Sequence, residues 1–133
     1  MDATRDGGLL AWQLREYPKS HRDRRNLLVH AVTVPLFMAG SCALALAVFS
    51  GTWLLVVALP GMLLPIALQG RTHRLEAVAP IPFRGPVDVA ARLFVEQWIT
   101  FPRFVLSGGF VRNWRASAAP GPEAVAVQGE PRR

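Results

Sequence analysis

Residues 26–70 read NLLVHAVTVPLFMAGSCALALAVFSGTWLLVVALPGMLLPIALQG and contain no Asp, Glu, Lys or Arg. So long a charge-free run is unusual in a soluble domain, whose helices keep a polar face toward water. Arg25 and Arg71 bracket it. Ser50-Gly51-Thr52 divides the run as a tight uncharged turn. The first part, 27–50, is long enough to cross a hydrocarbon core of ~30 Å at ~1.5 Å per residue, and Pro35 is tolerable within such a span. The second, 53–69, lies at the short end of the spanning range and carries Pro60 and Pro65, which predicts a kinked or partly re-entrant helix. Trp53 falls where an interfacial aromatic would. Two passes return the chain to its starting side.

Composition agrees with this reading. At 133 residues the chain has room for one domain and only a modest self-contained core. Its apolar share of 51% and mean hydropathy of +0.25 imply that part of its surface meets lipid. A formal charge of +6 would suit a nucleic-acid ligand if the basic residues formed one stripe. Instead Arg15, Lys19, Arg22, Arg24 and Arg25 precede the apolar block, and Arg71, Arg74 and Arg84 follow it. That is the positive-inside pattern, which puts both termini on the cytoplasmic side and argues against nucleic acid as a partner. The Ala- and Arg-rich composition points to a bacterial inner membrane. Because the residues before Asn26 are polar and the first apolar run exceeds a signal h-region, the run is expected to remain as an anchor. Cys42 is the only cysteine, expected as a buried, inert thiol.

Outside the block the elements are shorter. Residues 1–8 read as a mobile leader, and Leu10, Leu14 and Tyr17 recur at helical spacing in 9–17, with Pro18 ending or kinking that segment. Ser20 with Asp23 resembles a capping box, although Asp23 itself or Asn26 would serve equally as the start of the next helix. Two prolines and a glycine make 81–86 a surface loop. Ala90, Leu93, Phe94, Trp98, Phe101 and Val105 share a stripe in 87–106, as an in-plane amphipathic helix requires; Pro102 should kink it and Ser107-Gly108-Gly109 end it. Trp98 and Trp114 suit interface anchors. The expected fold class is therefore an all-α membrane protein: a two-pass transmembrane hairpin, a short N-terminal helix and a C-terminal in-plane helix. It forms a single helical membrane domain over 1–115, with a disordered tail over 116–133.

The chemistry-bearing residues gather at one end of this hairpin. His21, His30 and His73 lie near the ends of the proposed spans and so near one membrane face. Neutral imidazole ligates zinc, copper, iron and nickel. Glu76, three residues after His73, would complete a His-carboxylate set if that segment is helical. Nine residues separate His21 from His30, however, which places them on opposite faces of a straight helix, so a shared ion requires His21 to precede the helix. Asn26, four residues before His30, either orients that imidazole or caps the helix. Arg92 and Glu96 have the spacing of a surface pair, with Glu96 also weighed as a further ligand. No nucleophile elbow, phosphate loop or dinucleotide fingerprint is present.

Two of these segments form a recognisable pattern. Tyr17-x3-His21-x4-Asn26-x3-His30 followed by Pro35, and Gln69-x2-Thr72-His73-x2-Glu76-x3-Pro80, together resemble the small membrane family that includes the yeast 2-hydroxy fatty acid dioxygenase of phytosphingosine breakdown. The resemblance covers 17–80. Thr72 stands where that family usually has glycine, and the yeast-type proteins are longer, with additional apolar segments. What the resemblance implies is an iron(II)-dependent dioxygenase that shortens a 2-hydroxy fatty acid by one carbon, with Fe(2+) held by His21, His30 and His73. Glu76 and Asn26 would support it. The alkyl chain would lie in the bilayer and the carboxylate near the basic face, attracted by Arg71 or Arg74. An alternative of a different class is a non-catalytic membrane adaptor or lipid-binding protein, which would tolerate loss of the histidines.

Overall fold

A computed structural model describes residues 5–117, and every regular element among them is helical. Of the expected leader over 1–8 and tail over 116–133, residues 1–4 and 118–133 lie outside the described residues, while Gly8 opens the first helix and Ala116 closes the last. Helix α1 (Gly8–Glu16) runs into a 3-10 turn, Tyr17–Lys19, with Pro18 inside it. Asp23 then caps α2 (Arg24–Ser50), its carboxylate accepting from the backbone N–H groups of Arg25 and Asn26. That decides the helix start left open by the sequence, and places His21 before the helix.

Gly51, at a φ of 102°, turns the chain into a 3-10 segment, Thr52–Leu54, and α3 (Leu55–Thr72). The helix continues through Pro60 and Pro65, so the second apolar run is one unbroken helix. The paired positions 26/72, 33/69 and 40/61 make α2 and α3 antiparallel. At the crossing, Gly40 and Gly61 bring the backbones together: a Cβ on Gly40 would stand 2.7 Å from the Gly61 carbonyl carbon. Small residues permit such an approach, and the packing gained replaces a hydrophobic driving force that lipid would not supply.

Both helical segments, 24–50 and 52–75, are long and apolar enough to cross a membrane, and only 28% and 17% of their most apolar windows are buried within the protein. The core helix of a soluble protein would be mostly covered. Here Val48, Phe49, Val56, Val57 and Leu63 are open along the hairpin, a contiguous apolar exposure of the kind that marks a lipid surface. Cys42 is likewise exposed on α2, not buried as expected.

At the base of the hairpin the remaining elements pack together. After the loop at 77–85 come α4 (Pro86–Val95), a π-helical turn (Glu96–Thr100) and α5 (Phe101–Leu106), followed by α6 (Gly109–Ala116), which the sequence reading did not include. Pro102 sits in the first turn of α5, where its missing N–H costs least, and the break at Ser107-Gly108 falls where expected. Tyr17, Leu27, Val34, Phe101 and Phe104 form the core there, with Phe110 and Trp114 against it. Trp114 is therefore a packing residue, stacked on Phe110 and capped by the Arg24 guanidinium 4.9 Å from its ring. Along α4–α5, Arg92, Gln97, Thr100, Phe101 and Phe104 face inward while Phe94, Trp98, Ile99, Val105 and Leu106 are exposed. Most of the predicted apolar stripe thus points outward, and the polar side packs on the hairpin.

That polar contact is fully bonded. Gln69 and Gln97 exchange reciprocal amide hydrogen bonds of 2.7 and 3.1 Å, and Gln69 Nε2 also donates to Thr33 Oγ1 at 2.8 Å. Thr100 donates to Gln13 Oε1, and Gln13 Nε2 donates to the Arg92 carbonyl. Buried polar groups are tolerated when so paired, and such pairing fixes the register of the helices that carry them.

Candidate metal centre

Each of four elements delivers one ligand to the same point. His21 hangs from the turn before α2, His30 lies two turns into α2, His73 opens the 3-10 turn His73–Leu75 that ends α3, and Glu96 opens the π turn. One ligand atom from each lies within 4.8 Å of all the others. The π turn matters because it adds a residue to the helical register between Glu96 and Thr100, a device common where a helix serves a functional site. His21 and His30 are buried, and His73 and Glu96 half-buried.

Hydrogen bonding sets the imidazole tautomers. His21 Nδ1 donates to the Tyr17 carbonyl and His30 Nδ1 to the Asn26 carbonyl, each at 2.9 Å. A carbonyl can only accept, so both Nδ1 atoms carry hydrogen, and in the neutral imidazoles both Nε2 atoms present lone pairs. Those two lone pairs face each other at 3.4 Å, with Glu96 Oε1 3.5 Å from one and 3.8 Å from the other. Burial first, and the neighbouring imidazoles second, push His21 well below the usual histidine range, which favours its neutral form at neutral pH. His73 Nδ1 and Glu96 Oε1 are buried without a hydrogen-bond partner among the described residues. Orphaned donor atoms converging on lone pairs fit a cation, and a set of imidazoles with one carboxylate suits a divalent transition metal with open positions.

The surrounding residues hold this arrangement. Tyr17 stacks on His21 with ring centroids 3.6 Å apart, and its buried hydroxyl lies beside the Glu96 carboxylate. Burial, reinforced by the Glu96 charge, raises the Tyr17 pKa well above its ordinary value, so the phenol keeps its proton beside the cluster. Glu76, the carboxylate expected from sequence, is used elsewhere: it accepts from the backbone N–H groups of Arg22 and Asp23 at 2.9–3.2 Å and from Asn26 Nδ2. Thr72, in the glycine position of the motif, donates to Asn26 Oδ1 at 2.8 Å. Asn26 thereby both orients His30 through its carbonyl and ties α2 to the end of α3. Glu96 takes the carboxylate position assigned to Glu76.

A cavity of about 450 Å³ opens on the cluster, lined by His21, His73, Glu96 and Tyr17 and, on its apolar side, by Trp12, Ile66, Ile81, Phe83 and Leu93. Arg71 and Arg74, expected to attract a substrate carboxylate, are exposed and do not line it. Arg92 does line it, and is buried, not the surface partner of Glu96 that its spacing suggested. No family model, curated protein or solved structure matches this chain. Glu96, Gln97 and Arg92 had no local signal beyond the Arg92/Glu96 spacing, since their partners lie in distant segments.

Proposed function

We propose that this chain is an integral membrane protein, of the bacterial inner membrane, whose hairpin crosses the bilayer with both termini cytoplasmic and whose basal cluster holds Fe(2+) to oxidise a 2-hydroxy fatty acid, shortening it by one carbon. One observation carries the metal reading: four donor atoms from four separate elements within 4.8 Å, two of them opposed lone pairs. The motif resemblance supports iron and the substrate class. His21, His30, His73 and Glu96 would hold the ion, which when bound supplies electrons for the activation of dioxygen. Tyr17 offers a retained O–H at the same point, and the apolar cavity walls exclude water from it. The exposed apolar surface of the hairpin supports a substrate borne in lipid.

The test is the metal content of anaerobically purified, detergent-solubilised protein compared with His30→Ala and His73→Ala. Near-stoichiometric iron in the parent, lost in both variants, is the expected outcome, followed by oxygen-dependent conversion of 2-hydroxy fatty acids to acids one carbon shorter. Absence of any metal after iron(II) reconstitution would replace this reading with the membrane adaptor.

A further inference from the structure

Arg92 is 9% exposed and lines the cavity on which the cluster opens. Its guanidinium carbon lies over two aromatic rings, 4.9 Å from the Trp12 centroid and 4.4 Å from that of Phe83. Aromatic rings thus neighbour the planar group, and its hydrogen bonds leave along its edges. One edge is used, because Nη1 donates to the carbonyls of Ile81 and Pro82 at 2.9 and 3.1 Å. Nε and Nη2 make no hydrogen bond among the described residues. That remaining edge is the fork that matches a carboxylate bidentately.

The charge of Arg92 is also poorly compensated. Asp88 approaches Nη1 only to 3.9 Å and is itself bonded by both terminal nitrogens of Arg5 and by the Arg84 N–H. Lys19, the other Lys or Arg lining the cavity among the described residues, is bonded to Glu16 at 2.9 Å. Glu96, the other carboxylate lining the cavity, is turned to the histidines. A half-satisfied guanidinium held against aromatic rings in an apolar wall is costly to keep unless an anion completes it.

We propose that Arg92 is the specificity-determining residue of this cavity, holding through its Nε and Nη2 edge the carboxylate of an acid whose alkyl chain occupies the apolar part. The proposal rests on reading the cavity as the substrate site and deepens it by naming what selects acids over neutral lipids. Arg92 and Glu96 are one helical turn apart, ~6 Å along the axis. An acid anchored at Arg92 therefore presents its head-group carbons, and not its distal chain, to the cluster.

The test is equilibrium binding of tritiated hexadecanoate to the full-length protein as purified, in nonionic detergent without oxygen, with hexadecanol and butanoate as competitors. Hexadecanoate lacks the 2-hydroxyl, so no turnover is involved. In the parent, hexadecanol should compete at least about tenfold more weakly than hexadecanoate, as expected for loss of charge-assisted hydrogen bonds, and butanoate more weakly still. Arg92→Gln should abolish the acid-over-alcohol preference, Arg92→Lys should reduce it, and Arg71→Gln and Arg74→Gln should leave it intact. Equal binding of acid and alcohol by the parent would overturn the proposal, as would an unchanged ratio in Arg92→Lys, a variant that keeps the charge without the fork. Butanoate competing as well as hexadecanoate would overturn the alkyl-chain part. Iron content measured on the same samples separates the two readings: an acid preference without iron sinks the oxygenase alone, and iron without an acid preference sinks the role of Arg92 alone.

Discussion

Glu76 and Glu96 carry the same functional group, and their surroundings give them different work. Glu96 has one oxygen without a hydrogen bond and two imidazole nitrogens within 3.8 Å; Glu76 accepts backbone and amide hydrogens and reaches no histidine. Glu96→Gln should therefore weaken iron binding by at least about tenfold with little change in melting temperature, as measured by competition with a chelator. Glu76→Gln should do the reverse, keeping the iron but lowering stability by roughly 1.5–3 kcal/mol, because hydrogen bonds to a charged acceptor are lost at the joint of α2 and α3. Iron loss in Glu76→Gln with Glu96→Gln unaffected would return the ligand role to Glu76. At this scale the sequence showed the three histidines and Asn26, whose spacings are local. It offered Glu96 only as a further ligand beside Glu76 and could not choose between them, because nothing near either residue records which distant imidazoles it will meet.

The hairpin and the π turn are decided at the scale of elements. Antiparallel α2 and α3 touch through Gly40 and Gly61, where the nearest atoms to an added Cβ are backbone and cannot rotate away. Gly40→Leu should separate the helices and destabilise the protein by at least about 1–3 kcal/mol, the usual cost of overpacking, and shift the base of the hairpin enough to loosen iron. Thermal unfolding in detergent would read the first effect; a variant as stable as the parent would mean that the helices do not pack through these glycines. The span was legible from 26–70 because hydrophobic transfer depends on composition along one segment. The continuity of α3 through Pro60 and Pro65 was less so, since a proline's missing bond is tolerated only when neighbouring structure satisfies the freed groups.

For the whole molecule, the outward apolar surface of α2 and α3 and the polar base divide the protein into a part suited to lipid and a part suited to its interface. Cys42, midway along α2 and the only cysteine, reports on that division. In sealed or open membrane vesicles it should resist a water-soluble maleimide, yet react fully once the membrane is dissolved and the protein denatured. Rapid labelling in intact membranes would contradict a spanning hairpin. What the sequence by itself determined is the helical class, the two long apolar helices and the arrival of three histidines at one end, because charge-free length and periodicity are local properties of the chain. Only the tertiary structure decided that Glu96 and not Glu76 joins the histidines, that Arg92 turns into the cavity, and that a reciprocal Gln69–Gln97 pair sets the register between them. Those outcomes depend on contacts between segments far apart in the chain, and their energies exist only once the elements have packed.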